Sequence, residues 1–384
     1  KQKNYDLMME NYLMAIELKN TGSMYSLGYY YDQIAKDYAN MKKYYSMAIE
    51  NGHKGAMFSL AIHYDEVEHD YDMMKKYYVM AVELKHIDSM HNLGVYYCDV
   101  EKDYDTMKKY YIMAYDLGDA DSIIALGMYY QTTEKDYPKA RECFIKGMSY
   151  NRKRGCYQMG LHYELHDKDH DKMIKYYKEA AELKEPSATF ILGLYAHKDK
   201  NTELMTKYYL ETIEINKKHI GALHNLAAHY YDVGNYDAMK KYFLVAIEEN
   251  HVPSMCKLGL YYEEVVKDYD TMKKYYMMAI EQKDPDAMVQ LSLYYNRVEN
   301  DVDQMKKFLI EAINIQHVGA MFRMALHCCD IEQDYDRMKE YYAKAAELKH
   351  APSAYNLGVY YQNTEKNYEE MEVWYLKAIE LKYM

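Results

Sequence analysis

The chain has 384 residues, 60 of them acidic and 48 basic, a formal net charge of −12 at pH 7, and 49% hydrophobic residues with a mean hydropathy of −0.60. A half-apolar composition excludes a disordered chain, no apolar run approaches the roughly 20 residues of a membrane-spanning helix, and the acidic balance disfavours general nucleic-acid binding. Fifty tyrosines and thirty methionines beside one tryptophan and five prolines point to internal repetition.

Residues 1–20 predict a single amphipathic helix carrying Ala15. After it, Leu27, Leu60, Leu93, Leu126, Met159, Leu192, Leu226, Leu258, Leu291, Met324 and Leu357 mark eleven copies of a 33-residue period, and a second column runs from Ala15 and Ala48 to Ala378. Each unit predicts two helices. Helix A, as in Ser89–Tyr97, has a small residue four before the Leu and Gly, Ala or Ser directly after it, which lets a neighbouring helix approach closely. Helix B, as in Met107–Ala114, has apolar residues at i, i+4 and i+7, with Asp103 or Asp105 placed to cap it. Units this short bury their apolar faces only by stacking. The expected fold is therefore all-α, a right-handed superhelical solenoid of antiparallel helix pairs, as one array over 1–384: a lone helix B in 1–20, then eleven A/B units. It starts on a helix B and ends on one without a polar cap, so a fragment of a longer chain is expected.

Three places break the repeat, in chain order. Lys139, Arg141, Lys146, Arg152, Lys153 and Arg154 gather against Glu142, a basic patch that supports an alternative reading as a nucleic-acid-binding solenoid. Between Ala196 and Gly221 one loop is a residue shorter and the next is longer. Arg323 then accompanies His327, Cys328 and Cys329, with Cys328 at a core tyrosine position.

Catalytic and metal signatures are missing: there is no phosphate loop, no Gly-x-Ser-x-Gly and no His-Glu-x-x-His. His162 and His166, with Asp167, Asp169 and His170, form the nearest metal-like group, but His162 occupies the column of Tyr96 and Tyr129, so a surface histidine pair is expected and no metal or cofactor. His327 and Cys328 are adjacent on a helix, point about 100° apart and cannot activate one another, so the chain is expected not to be an enzyme. Cys98, Cys143, Cys156, Cys256, Cys328 and Cys329 contain no Cys-x-x-Cys pair, which predicts free thiols in a reducing compartment, the cytoplasm. The methionine before each Lys-Lys and the second tyrosine of each pair (Tyr78, Tyr111) predict core; the first tyrosine should bury its ring and keep its hydroxyl wet, and Lys-Lys should form a solvated convex face.

One stripe of helix A is left for water or a ligand. The residue before each Leu is polar in nine of eleven copies, including Asn92, Gln158, Asn225, Arg323 and Asn356; four residues on come Tyr96, His162, His229, His327 and Tyr360. Six residues after the Leu stand Glu66, Asp99, Asp232, Glu264 and Asp330 against Lys198 and Arg297.

The recurring small-x-x-x-Leu-Gly-x-x-Tyr, with Trp374-Tyr375-Leu376-Lys377-Ala378 in the last unit, resembles the Sel-1-like repeat, a branch of the tetratricopeptide superfamily, from about residue 4 to the end. It departs from the family pattern in replacing a glycine-rich inter-helix loop by acidic Glu101–Asp105. The Tyr-Lys-Asp-rich consensus also resembles repeat proteins encoded by giant DNA viruses of protists, which would place the protein in the host cytoplasm. The resemblance implies an adaptor that holds a protein or peptide partner in a concave groove lined by helix A, with Asn92, Asn225 and Asn356 gripping a peptide backbone. The candidate groove is then Asn92, Tyr96, Asp99, Gln158, Asn225, His229, Asp232, Arg323, Asn356 and Tyr360, and its acidic end should prefer basic side chains.

Overall fold

The computed structural model describes residues 2–381 and divides into two compact units, one ending at Tyr208 and one beginning at Tyr209. The described residues form 23 α-helices and no strand, eleven of type A and twelve of type B, which is the all-α repeat-solenoid class expected. The first unit opens on the lone helix B, Gln2–Glu17, and the second closes on helix B Tyr368–Glu380.

Each repeat is held by its columns. Leu93, Met107 and Ala114 have no exposed surface and Tyr111 almost none. The glycine after the Leu is required by close approach: a Cβ at Gly94 would stand 2.4 Å from the Tyr111 ring. The first tyrosine of helix B stacks on the last tyrosine of helix A, as in Tyr97 and Tyr110 (ring centroids 5.8 Å apart) or Tyr64 and Tyr77 (5.7 Å). Cys143 takes that place opposite Tyr130, and the missing ring leaves a cleft of about 250 Å³ lined by Ile112, Tyr115, Ile123, Leu126, Tyr130 and Cys143.

Helix A does not stop as an ordinary α-helix. Nine of the eleven described A helices run into a five-residue π-helical turn, such as Tyr97–Glu101, followed by a residue in the left-handed conformation, Lys102 at φ 58°. The count along the chain explains it. From Leu93 to the capping Asp103 is ten residues, whereas Leu192 to Asn201 and Leu226 to Asn235 are nine. One extra residue inside a helix is accommodated by widening the turn, and the two shorter units continue as plain α-helices, Pro186–Lys198 and Ile220–Asp232. Helix B then starts on the cap: Asp103 Oδ1 accepts from the Thr106 N–H at 3.1 Å, which selects Asp103 over Asp105. The left-handed residue after the π turn is lysine in six of the nine units, among them Lys36, Lys102 and Lys366.

Candidate interaction surface on the A helices

Five of the ten residues of the expected groove give hydrogen bonds to neighbouring side chains. Asn92 Nδ2 donates to the hydroxyl of buried Tyr78 at 3.0 Å, Asn356 to Tyr342 at 3.0 Å and Asn225 to Tyr209 at 3.4 Å. Each of these three asparagines thus gives one amide N–H to a tyrosine of the preceding helix B. Tyr96 donates to Glu101 Oε1 at 3.0 Å and Tyr360 to Glu365 at 3.1 Å. The same carboxylates hold a lysine of the preceding helix B: Lys75 to Glu101 at 2.7 Å and Lys339 to Glu365 at 2.8 Å, with Lys75 also over the Tyr96 ring. This clamp recurs at Lys42–Glu68, Lys108–Glu134, Lys273–Glu299 and Lys306–Glu332. In five of the six Lys-Lys pairs the first lysine is therefore a repeat-to-repeat tie rather than a solvated face, Lys240 pairing instead with Asp237 of its own helix; the second, as Lys76, lies over its own neighbour Tyr77. The lysine ammonium hydrogen-bonded to Glu101 holds that carboxyl below its ordinary value. Gln158 is buried and His229 half-buried against Tyr230, while Asp99, Asp232 and Arg323 are exposed.

The basic patch is neutralised in place. Lys139 pairs with Asp136 (2.9 Å), Arg141 with Asp167 (2.6 Å), Lys146 with Glu142 (2.8 Å), Lys153 with Glu185 (3.6 Å) and Arg154 with Asp121 (2.8 Å), and Arg152 pairs with Glu179. Most of these partners lie on a neighbouring helix, so the cluster stitches helices together and presents little unopposed field to a phosphate backbone.

Among the described residues no three His, Cys, Asp or Glu side chains converge as metal ligands. His162 is fully buried, not a surface histidine, and its Nδ1 lies 2.8 Å from Gln131 Oε1. Burial pushes the Cys143 and Cys328 thiols up to about 11, which opposes the thiolate a nucleophile needs. No described helix is long and apolar enough to cross a membrane.

Two features escaped the sequence reading. Two residues after the Leu, Val95 is exposed and Leu260, Leu293 and Leu326 are partly buried on the same face as the polar stripe. Seven residues after the Leu, Val233 at the end of a plain α-helix and Val265, Val298 and Ile331 inside π turns stand exposed in four successive repeats, from 41% at Val265 to 70% at Ile331; Ile34, Val67 and Val100 form a matching run in the first unit. The signal was present: an aliphatic β-branched residue recurs seven after the Leu in seven of the eleven otherwise polar loops. Beside this ladder lie the carboxylates of Asp99, Asp232, Glu264 and Asp330, none joined to a lysine or arginine among the described residues.

A tetratricopeptide-repeat family profile matches residues 351–383. The structure is similar to that of a protective antigen present in uropathogenic Escherichia coli strains displaying an SLR fold (TM-score 0.53, 19% identity, covering 97% of this chain and 89% of that one). It is similar as well to a Sel1 repeat protein from Oxalobacter formigenes (TM-score 0.54, 17% identity, covering 72% and 87%). No curated protein matches the sequence. The fold is thus that of tetratricopeptide- and Sel1-like repeat proteins.

Proposed function

We propose that the chain is a non-catalytic scaffold whose A-helix face holds a segment of a partner protein, in the cytoplasm, and in that of the host if the gene is viral. The observation that carries this reading is the aliphatic ladder from Val233 to Ile331. A side chain left in water at the same register in successive repeats adds little to repeat packing, whereas fully burying a Val or Ile under a partner contributes about 1.5–3 kcal/mol. The adjoining carboxylates favour basic side chains in the partner, with Lys198 and Arg297 as interruptions. The nucleic-acid alternative loses its support because each cation of the 139–154 patch already has a carboxylate.

Salt dependence tests the reading. A protein retained on the immobilised chain should stay bound from low to physiological salt, because apolar burial supplies most of the affinity. Oligonucleotide binding that falls steeply over that range, without retained protein, would overturn it.

A further inference from the structure

The third irregular place in the sequence borders a distinct cleft. In the second unit, between helix A Pro285–Tyr294 and helix A Val318–His327, lies a hollow of about 250 Å³. Met305 and Leu309 of the intervening helix B, Val302–Asn314, line it together with Leu293, Leu326 and Ile331. Pockets for drug-sized ligands run from about 300 to 1,000 Å³; this one suits a single large side chain. Arg323, on the helix, and Asp330, in the π turn Cys328–Glu332 that follows it, also line it, seven residues apart and at most about 10 Å along the axis, the α-helical rise being the upper bound. Both are exposed, and neither enters an ion pair among the described residues, whereas Arg141, Arg152, Arg154 and Arg337 each meet a carboxylate. A cation on helix A, a hollow lined by apolar side chains together with Ser292, Asn296 and His327, and an anion in the following π turn therefore border one cleft.

We propose that this cleft seats one apolar side chain of an extended partner segment, with an acidic side chain on the Arg323 side and a basic one on the Asp330 side. The proposal rests on the scaffold reading above and adds the ligand's chemistry and direction. An extended chain advances about 3.3 Å per residue, so the two charges stand about three residues apart with the apolar residue between them. Running the segment backwards would bring like charges together, which fixes its polarity.

The test is to pan a library of random twelve-residue peptides on the full chain and to measure the selected peptides by fluorescence anisotropy. The expected consensus is an acidic residue, then Leu, Met or Phe, then a basic residue. Arg323→Glu should weaken binding roughly tenfold or more, and a peptide with Lys in place of its acidic residue should recover on that variant; Asp330→Lys should pair in the same way with a peptide whose basic residue is Glu. Both substitutions are at exposed positions, so thermal melts should match the wild type. Selected peptides that bind all three proteins alike overturn the cleft; if they are then lost on Val233→Ser/Val265→Ser/Val298→Ser, the scaffold reading survives without it. A library from which nothing is enriched overturns both.

Discussion

Asn92 shows how a residue on a stripe legible in the sequence also has a packing role that the sequence does not reveal. Its position on the exposed stripe follows from helical spacing alone, but spacing does not reveal that its amide reaches Tyr78 across the helix pair. Alanine there is the better helix former, yet it would leave the hydroxyl of a tyrosine that is 1% exposed without its donor. Asn92→Ala should therefore destabilise the chain by about 1–3 kcal/mol in urea unfolding; an unchanged midpoint would return the amide to the solvent. Histidines supply a second residue-scale prediction. His53, His86 and His219 cap A helices through Nδ1, accepting from the N–H of Ala56, Ser89 and Ala222 at 3.0, 3.3 and 3.2 Å. Only the neutral ring accepts, and burial lowers all three below the ordinary value of 6.5. Between the folded value and 6.5 the unfolded chain binds protons that the folded chain refuses, so stability falls as pH drops below about 6.5 and levels off once the folded rings are charged. Chemical denaturation at pH 7.5 and pH 5.5 should show this loss, and His86→Asn, a cap that does not titrate, should reduce it.

The helices and their order were legible because the Leu and Ala columns repeat with helical spacing in every unit. The π turns were not, since the extra residue between Leu93 and Asp103 reads as loop length rather than as a widened helix. The consequence for stability is local. Lys102 sits at φ 58°, where a Cβ costs roughly 1–2 kcal/mol, and glycine removes that strain while adding freedom to the unfolded chain. Lys102→Gly should accordingly raise stability by up to about 1 kcal/mol, as Gly234 does without strain at φ 75°; a lower melting temperature would show that the lysine stem contributes packing. Cys143 is the corresponding test of helix-to-helix stacking. Cys143→Tyr restores the ring that stacks on helix A in other repeats and fills the cleft beside Tyr130, with an expected gain of about 0.5–2 kcal/mol. A loss would mean that the neighbouring side chains have closed the space.

Across the whole molecule, the charges that look functional in the sequence are mostly internal ties. Arg141, Arg152, Lys153 and Arg154 of the basic patch and the first lysine of five Lys-Lys pairs tie one helix to another, while Tyr96 and Tyr360 pair with the π turn that follows their own helix; a solenoid has only nearest-neighbour contacts with which to satisfy its polar groups. Pairing partners about 26 residues apart cannot be read from a single repeat. Among what packing leaves over are two apolar runs: the ladder Val233, Val265, Val298 and Ile331 beside the A helices, and Leu244, Met277 and Ile310 on the B helices. The two runs are matched controls for each other. The most direct measurement compares partner capture by the wild type, by a variant with all four A-side residues changed to Ser, and by one with Leu244, Met277 and Ile310 changed to Ser, after thermal melts have shown all three folded. Capture lost from the A-side variant and kept by the B-side variant is the predicted result; capture that survives the A-side changes and disappears with the B-side ones would contradict the account.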